Sequence, residues 1–272
     1  VAGPGKDLGK WLVDNEKVNA VGFTGSTQVG ALLLKYAAPH FIRTLLELGG
    51  NDALIITEDA DLDNAANQSM IRSANAGQIC CVSKRFLVHN SVKQAYLEKL
   101  LDHVSRLKIG DPMDPSNDMG CLVSEYAAET VEAQIRKTVA QGAKLLAGGR
   151  RNGAFIEPTV LDCTKDMDIA SDMEVFGPVW AVIGYDTDEE ALEIANRSVF
   201  GLNGGVIAGT LERGLKLAAG LEAGTVVANG HGLFRRDIQC FGGYKHSGMG
   251  REGIADLIGE YSQRKTIVIQ NV

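Results

Sequence analysis

Short apolar runs alternate along this chain with stretches of helical periodicity, and that alternation restricts the fold more than any other feature. The runs Val18–Phe23, Ala53–Ile56, Phe86–Val88, Val179–Tyr185, Gly204–Ala208 and 224–228 read as strands. Helix-length segments separate them: Thr27 to about Tyr36, about Val92 to Leu107, about 124–141, Asp188 to about Asn196, and 211–220. Such alternation predicts an α/β fold with a largely parallel sheet. Residues 1–17 read as a turn and a short helix. Strands are also expected at Lys144–Leu146, Phe155–Leu161 and 265–270, with a loop at 229–250. Gly110–Pro115 breaks any regular element.

A chain of 272 residues that is 45% hydrophobic can hold one large or two ordinary domains around a sizeable core. Its net charge of −7, with Lys and Arg scattered, offers no basic surface for nucleic acid. No apolar run is long enough to span a bilayer, so no membrane partner is expected. Five cysteines without paired spacing predict a reducing, cytoplasmic setting, and none has zinc-like spacing to a His. No metal is therefore expected. The start, Val1-Ala2-Gly3-Pro4-Gly5, lacks Met and reads as the interior of a longer protein.

Chemistry concentrates between Glu47 and Cys81. Glu47-Leu48-Gly49-Gly50-Asn51 opens the stretch and Gly77-Gln78-Ile79-Cys80-Cys81 closes it. A carboxylate and a thiol thus stand 33 positions apart, each beside glycines that let backbone approach a ligand. A thiolate nucleophile with a carboxylate base suits carbonyl chemistry through a thioester. Asp59, Asp61 and Asp63 supply short acceptors for capping a helix that leads toward Cys80. Upstream, Thr24-Gly25-Ser26-Thr27 links a strand to a helix, where unpaired N–H groups favour phosphate. By residue type alone, Cys80 also fits an inert buried thiol, Glu47 a structural ion-pair partner, and Thr24–Thr27 an ordinary turn.

Five segments in order, Phe23-Thr24-Gly25-Ser26, LELGG at 46–50, GQIC at 77–80, EVFGP at 174–178 and FGGYKHSG at 241–248, resemble one family. The chain looks like the later part of an NAD(P)-dependent aldehyde dehydrogenase of the hydrolytic, non-phosphorylating kind. The resemblance implies an aldehyde dehydrogenase-like fold: a parallel-sheet catalytic domain, the tail of a Rossmann-like cofactor domain and a C-terminal oligomerisation strand. Residues 1–48 would be the remnant of the dinucleotide-binding domain, 49–262 the catalytic domain and 263–272 the oligomerisation strand. A homo-dimer or homo-tetramer of the complete protein would pair the exposed edge at Thr266–Ile269.

The same resemblance assigns roles. Cys80 would attack the aldehyde, giving a thiohemiacetal and then a thioester. Glu47 would activate water as general base, its pKa raised by burial. Its presence favours water over coenzyme A as acyl acceptor. Gly25 and Ser26 would meet the pyrophosphate of NAD or NADP, with Thr24 near the nicotinamide. Glu174 would hold the ribose hydroxyls and Phe176 would pack on the ring. Asn229 and the loop through Phe241 would line the aldehyde entrance, and Lys245 and Gly248 look structural. Of Arg235 and Arg236, in that loop, one is expected to attract a substrate carboxylate or phosphate; a solvated surface pair is the alternative. LELGGND is similar to the motif of branches acting on small hydroxylated or acidic aldehydes, including semialdehydes.

Three departures stand out. The Glu47–Cys80 spacing is one residue short, the gap falling before Arg72; the 229–241 loop is about one residue long; and Cys240 replaces the usual Pro before FGG. The residues that select NAD or NADP, and the asparagine amide that completes the family's oxyanion hole with the Cys80 N–H, have no counterpart here. The 272 residues alone are therefore expected to be inactive. Two other readings use the same residues: a cofactor-independent thiol esterase, and a non-catalytic fragment that retains the fold.

Overall fold

The computed structural model describes residues 2–270. A seven-stranded sheet carries the chain, in the order Thr225–Ala228, Asn203–Ile207, Ala53–Ile56, Arg85–His89, Val179–Tyr185, Thr159–Cys163, Lys144–Ala147. Neighbours are parallel throughout except the last, which closes the edge antiparallel. The expected α/β architecture with a largely parallel sheet is what the chain forms. A smaller sheet joins Ala20–Thr24 in parallel to Arg43–Glu47, and Gly248–Met249 pairs antiparallel with the latter.

Strand side chains alternate between faces, which is why the core has two layers. Ile55, Leu87, Ala181 and Val206 join Val131, Ile135, Ile194 and Leu217 from the helices Glu125–Ala140, Asp188–Asn196 and Leu211–Gly220. Leu54, Ile56, Phe86, Val88 and Val182 pack on Tyr96, Leu97 and Leu100 of the helix Asn90–Ser105. Helix starts follow from side-chain acceptors: Ser26, Asp61, Ser124, Thr187 and Thr210 each take an N–H of the first turn.

Several expectations change. The strand at Phe155–Leu161 is split into Phe155–Ile156 and Thr159–Cys163, because Pro158 lacks an N–H for the ladder. Arg43–Glu47 is a strand and Ile254–Glu260 a helix, neither of which was anticipated. The expected strand at 265–270 is not formed among the described residues: Ile267, Val268 and Ile269 lie exposed with no backbone partner in this chain. Apolar β-branched content favours a strand, but only a neighbouring strand completes one.

Candidate active site

Cys80, Lys84 and Glu174 precede the N-terminal ends of central strands of the large sheet, while Glu47 ends a strand of the small one. Between the helix Leu62–Ser69 and Cys80, the chain turns sharply through Asn75, Ala76 and Gly77, whose φ values are +49°, +52° and +74°. Consecutive left-handed residues are costly for L-amino acids and persist only where their surroundings hold them. At Gly77 a Cβ would collide with the Gly177 carbonyl, so glycine is required. Gln78 clamps the turn: its amide donates to Asn75 O at 3.0 Å and Cys121 O at 3.4 Å, and Oε1 accepts from Val123 N at 2.8 Å.

This turn leaves Cys80 partly exposed while Cys81 is buried. A hydrogen bond from the Cys81 thiol, helped by the Lys84 charge and nearby backbone N–H groups, outweighs burial and lowers the Cys80 pKa to about 6. The same contact pushes Cys81 upward, so it stays a thiol. Of the two neighbours, Cys80 is the nucleophile-competent one.

Glu47 ends its strand, with Thr24 beside it on one side and Gly248 on the other. Its side chain is 4% exposed and neither carboxylate oxygen has a hydrogen-bond partner. Burial, then the charges of Glu252 and Cys80, raise its pKa to about 7, against the opposing pull of Arg251 and Arg235. An unpartnered carboxylate that titrates near neutrality, within electrostatic reach of a thiolate, can take a proton from water.

Glu174 and Phe176 meet on the other side of the nucleophile. Glu174 Oε1 accepts from Gly50 N at 3.1 Å and lies 3.4 Å from Lys84 Nζ. A Cβ at Gly49 would collide with Glu174 Oε2, which explains that glycine. Phe176, 43% exposed, and Glu174 line an open cleft of about 900 Å³ with Gln78, Cys121 and Gln134. Thr24, Gly25 and Ser26 adjoin Glu47: Gly25 N donates to Glu47 O at 3.0 Å. Ser26 Oγ caps the helix Thr27–Ala37 through Val29 N at 3.3 Å.

The 229–241 segment divides. Arg235 lies 4.0 Å over the Phe241 ring and its charge reaches Glu47, so it borders the site. Arg236 stacks over Phe234 at 5.2 Å, and both arginines line an open depression of about 420 Å³ with Asp237, Gln239 and Glu252. Phe241 is buried against Cys81 and Leu202, forming a wall behind the cysteine pair rather than an open rim. Asn229 is a correction. Its N–H donates to Val206 O at 2.6 Å and its Oδ1 accepts from Ala208 N at 3.3 Å, at the C-terminal end of the strand Asn203–Ile207. Leu202 and the Cys80 carbonyl flank Gly50 at the opposite end, roughly 13 Å away at about 3.3 Å per strand residue. Asn229 therefore does not line the aldehyde entrance. Lys245 bonds Asn196 O at 2.6 Å and Ser198 O at 3.3 Å, the structural task expected of it.

Three buried charged groups escaped the sequence reading, two of them beside Cys80. Asp52 has two unpartnered oxygens and a pKa raised to about 7 by burial, with Lys84 opposing. Arg85 donates to the carbonyls of Asn51 at 2.6 Å, Ala170 at 3.0 Å, Ile194 at 2.9 Å and Ala195 at 2.9 Å. Lys84 Nζ donates to Cys80 O at 2.6 Å. One signal was present: two cations, Lys84-Arg85, run directly into the apolar strand Phe86-Leu87-Val88. Among the described residues, no group of three or more His, Cys, Asp or Glu is placed to hold a metal ion, and no helix is long and apolar enough to cross a membrane.

Known proteins resemble this chain over nearly its whole length. The model of the aldehyde dehydrogenase family matches residues 1–267. A lactaldehyde dehydrogenase of Methanococcus aeolicus is 40% identical over 270 residues, covering 99% of this chain and 57% of that protein. A 3-sulfolactaldehyde dehydrogenase of Priestia megaterium is 37% identical, with 99% and 56% covered. The crystal structure of a glyceraldehyde-3-phosphate dehydrogenase from Methanocaldococcus jannaschii complexed with NADP superposes with a TM-score of 0.94 at 39% identity, covering 99% of this chain and 58% of that one. The chain thus spans somewhat over half the length of the relatives it matches.

Proposed function

Because the chain belongs to the aldehyde dehydrogenase family, we propose that it carries the nucleophile, the base and part of the dinucleotide site of an enzyme that oxidises an aldehyde to a carboxylic acid with NAD or NADP. The observation that carries this reading is the paired tuning of Cys80, lowered to about 6, and Glu47, raised to about 7 with both oxygens unpartnered. At neutral pH the thiol is largely thiolate and the carboxylate is poised to accept a proton.

The residues present fit a dinucleotide. The cleft lined by Gln78 and Cys121 offers a half-exposed aromatic face at Phe176 and a carboxylate at Glu174. The capped start of the helix Thr27–Ala37 adjoins Glu47 and suits phosphate. Ser26 and Gly25 would hold the pyrophosphate, Thr24 and Phe176 the nicotinamide, and Glu174 the ribose. The dinucleotide, when bound, supplies the hydride acceptor. Cys80 Sγ bonds to the aldehyde carbon, giving a thiohemiacetal that becomes a thioester on loss of hydride. Glu47 then removes a proton from water, which attacks the thioester carbon, and the Cys80–carbon bond breaks to release the acid and the thiolate.

In this reading residues 1–48 contribute to the dinucleotide side and 49–262 to the catalytic side. The exposed apolar residues Ile267–Ile269 would pair in a homo-oligomer. For the substrate we take a small hydroxylated or anionic aldehyde. The matched proteins bear the names lactaldehyde and 3-sulfolactaldehyde dehydrogenase, and Arg235 borders the site with Arg236 beside it. The test is dinucleotide reduction by the complete purified protein, of which these 272 residues are part, with lactaldehyde, succinate semialdehyde and butanal, repeated in an Arg235→Ala, Arg236→Ala double variant. Reduction with the first two, and a selective loss of kcat/KM for the anionic aldehyde in the variant, is expected. An absence of reduction while Cys80 alkylates normally refutes the oxidation; an equal loss for butanal refutes the anion site.

A further inference from the structure

We propose that Lys84 is a positioning residue for the nucleophile, a single buried ammonium that fixes both peptide units flanking Cys80. The proposal rests on Cys80 being the reacting thiol. The Lys84 side chain is only 2% exposed. Its Nζ donates to Cys80 O at 2.6 Å and to Ile79 O at 3.3 Å, and stands 3.4 Å from Glu174 Oε1. Lys84 is itself held: its backbone N–H donates to Asp52 O at 2.9 Å, as does that of Arg85 at 3.1 Å, immediately before the strand Arg85–His89. The anchor therefore belongs to the rigid sheet, while the thiol it restrains sits on a turn with left-handed residues.

Peptide planarity gives this contact a consequence. The Ile79 carbonyl and the Cys80 N–H belong to one trans peptide and point in opposite directions. Holding the carbonyl toward Lys84 aims the Cys80 N–H away from it. A cation on the carbonyl also polarises the amide and strengthens the N–H as a donor. Pre-aimed donors of this kind act where charge develops in the transition state.

The positive charge itself has a reason. Two carbonyls could be held by a neutral amide at lower desolvation cost, and a buried ammonium is stable only with compensating charge nearby. The groups that face this centre are the Glu174 carboxylate, Asp52, the Cys80 and Cys81 thiols on the turn, Glu47 beyond the nucleophile, and the buried Arg72 guanidinium, whose charge reaches Glu174 and Asp52. Three of these are carboxylates that disfavour a thiolate, and Lys84 is the charge that opposes them at Cys80. One residue thus orients the thiol-bearing peptide and stabilises the ionised thiol.

The test follows thiolate ultraviolet absorbance and iodoacetamide alkylation of the purified protein against pH, with Cys80→Ser as the blank. Lys84→Met is expected to raise the Cys80 pKa by about one unit or more, and to lower kcat far more than it raises KM. Glu174→Gln, nearly isosteric and still able to accept from Gly50 N, is expected to lower it, because a negative charge beside the ammonium is removed. A solely structural lysine predicts an unchanged Cys80 pKa in Lys84→Met, and that result overturns the proposal. Should Lys84→Met fail to fold, Lys84→Gln, which keeps a donor for the carbonyls but no charge, decides in its place, with an unchanged pKa overturning it. The titration needs neither aldehyde nor dinucleotide, so it stands or falls separately from the proposed oxidation.

Discussion

Replacing Glu47 by Gln should make the protein more stable in alkaline solution and less so, by comparison, in acid. Glu47 is raised from the ordinary 4.5 to about 7 in the folded chain, chiefly by burial. A raised carboxylate pKa means that its contribution to stability is fully present below 4.5 and is lost as pH rises through about 7. Above that point the folded protein holds an ionised, unpartnered carboxylate that the unfolded chain solvates freely. The shift of about 2.5 units, at 1.36 kcal/mol per unit, corresponds to roughly 3 kcal/mol once ionisation is complete. The glutamine side chain of the variant carries no such charge. Urea unfolding of both proteins at about pH 5 and about pH 9 should therefore show the free-energy difference moving by roughly 2–3 kcal/mol in favour of the variant. Asp52 is also raised to about 7, but it is present in both proteins and cancels in the difference. Stability differences that stay parallel across that range would refute the reasoning. The gain has a functional cost: the variant loses the base, so acylation survives while hydrolysis slows, and a burst of reduced dinucleotide persists as turnover falls.

Three further outcomes follow from the same contacts. Cys81→Ala removes the thiol that does most to lower the Cys80 pKa, so Cys80 should alkylate more slowly near pH 6, whereas Cys81→Ser retains a donor and most activity; an unchanged pH profile in Cys81→Ala contradicts this. Arg85→Met deprives the Asn51, Ala170, Ile194 and Ala195 carbonyls of their donor and should lower unfolding free energy by at least about 3 kcal/mol, which urea denaturation measures. Gly49→Ala drives a Cβ into Glu174 Oε2 and should weaken binding of reduced dinucleotide by about tenfold or more, as read by fluorescence; an unchanged Kd excludes Glu174 from that site.

The central strands were legible because Ala53–Ile56, Phe86–Val88 and Val179–Tyr185 are apolar and short, a pattern that survives in any context. Glu47 and Cys80 were legible through their motifs, and burial does raise the glutamate as expected. What stayed hidden depends on contacts remote in sequence. Asn75 and Ala76 adopt left-handed backbone with no glycine to announce it. The carbonyls that hold Arg85 buried lie between 34 and 110 residues away along the chain, so no local pattern announces them. Asn229 follows a strand that ends far from the thiol, and sequence order alone does not say which end of a sheet a loop occupies. At Ile267–Ile269 apolar content was visible, but a strand also needs a partner that this chain does not provide among its described residues.

The most direct measurement is to mix the complete purified protein carrying Glu47→Gln with aldehyde and dinucleotide, quench within one turnover, and locate any acyl group by fragmentation mass spectrometry. An acyl mass on the Cys80 sulfur, accumulating as reduced dinucleotide appears and persisting because water activation is lost, is the predicted result. An acyl group on Cys81, or dinucleotide reduction with no acylated cysteine, would contradict the assignment of Cys80 as nucleophile and Glu47 as the base that serves it.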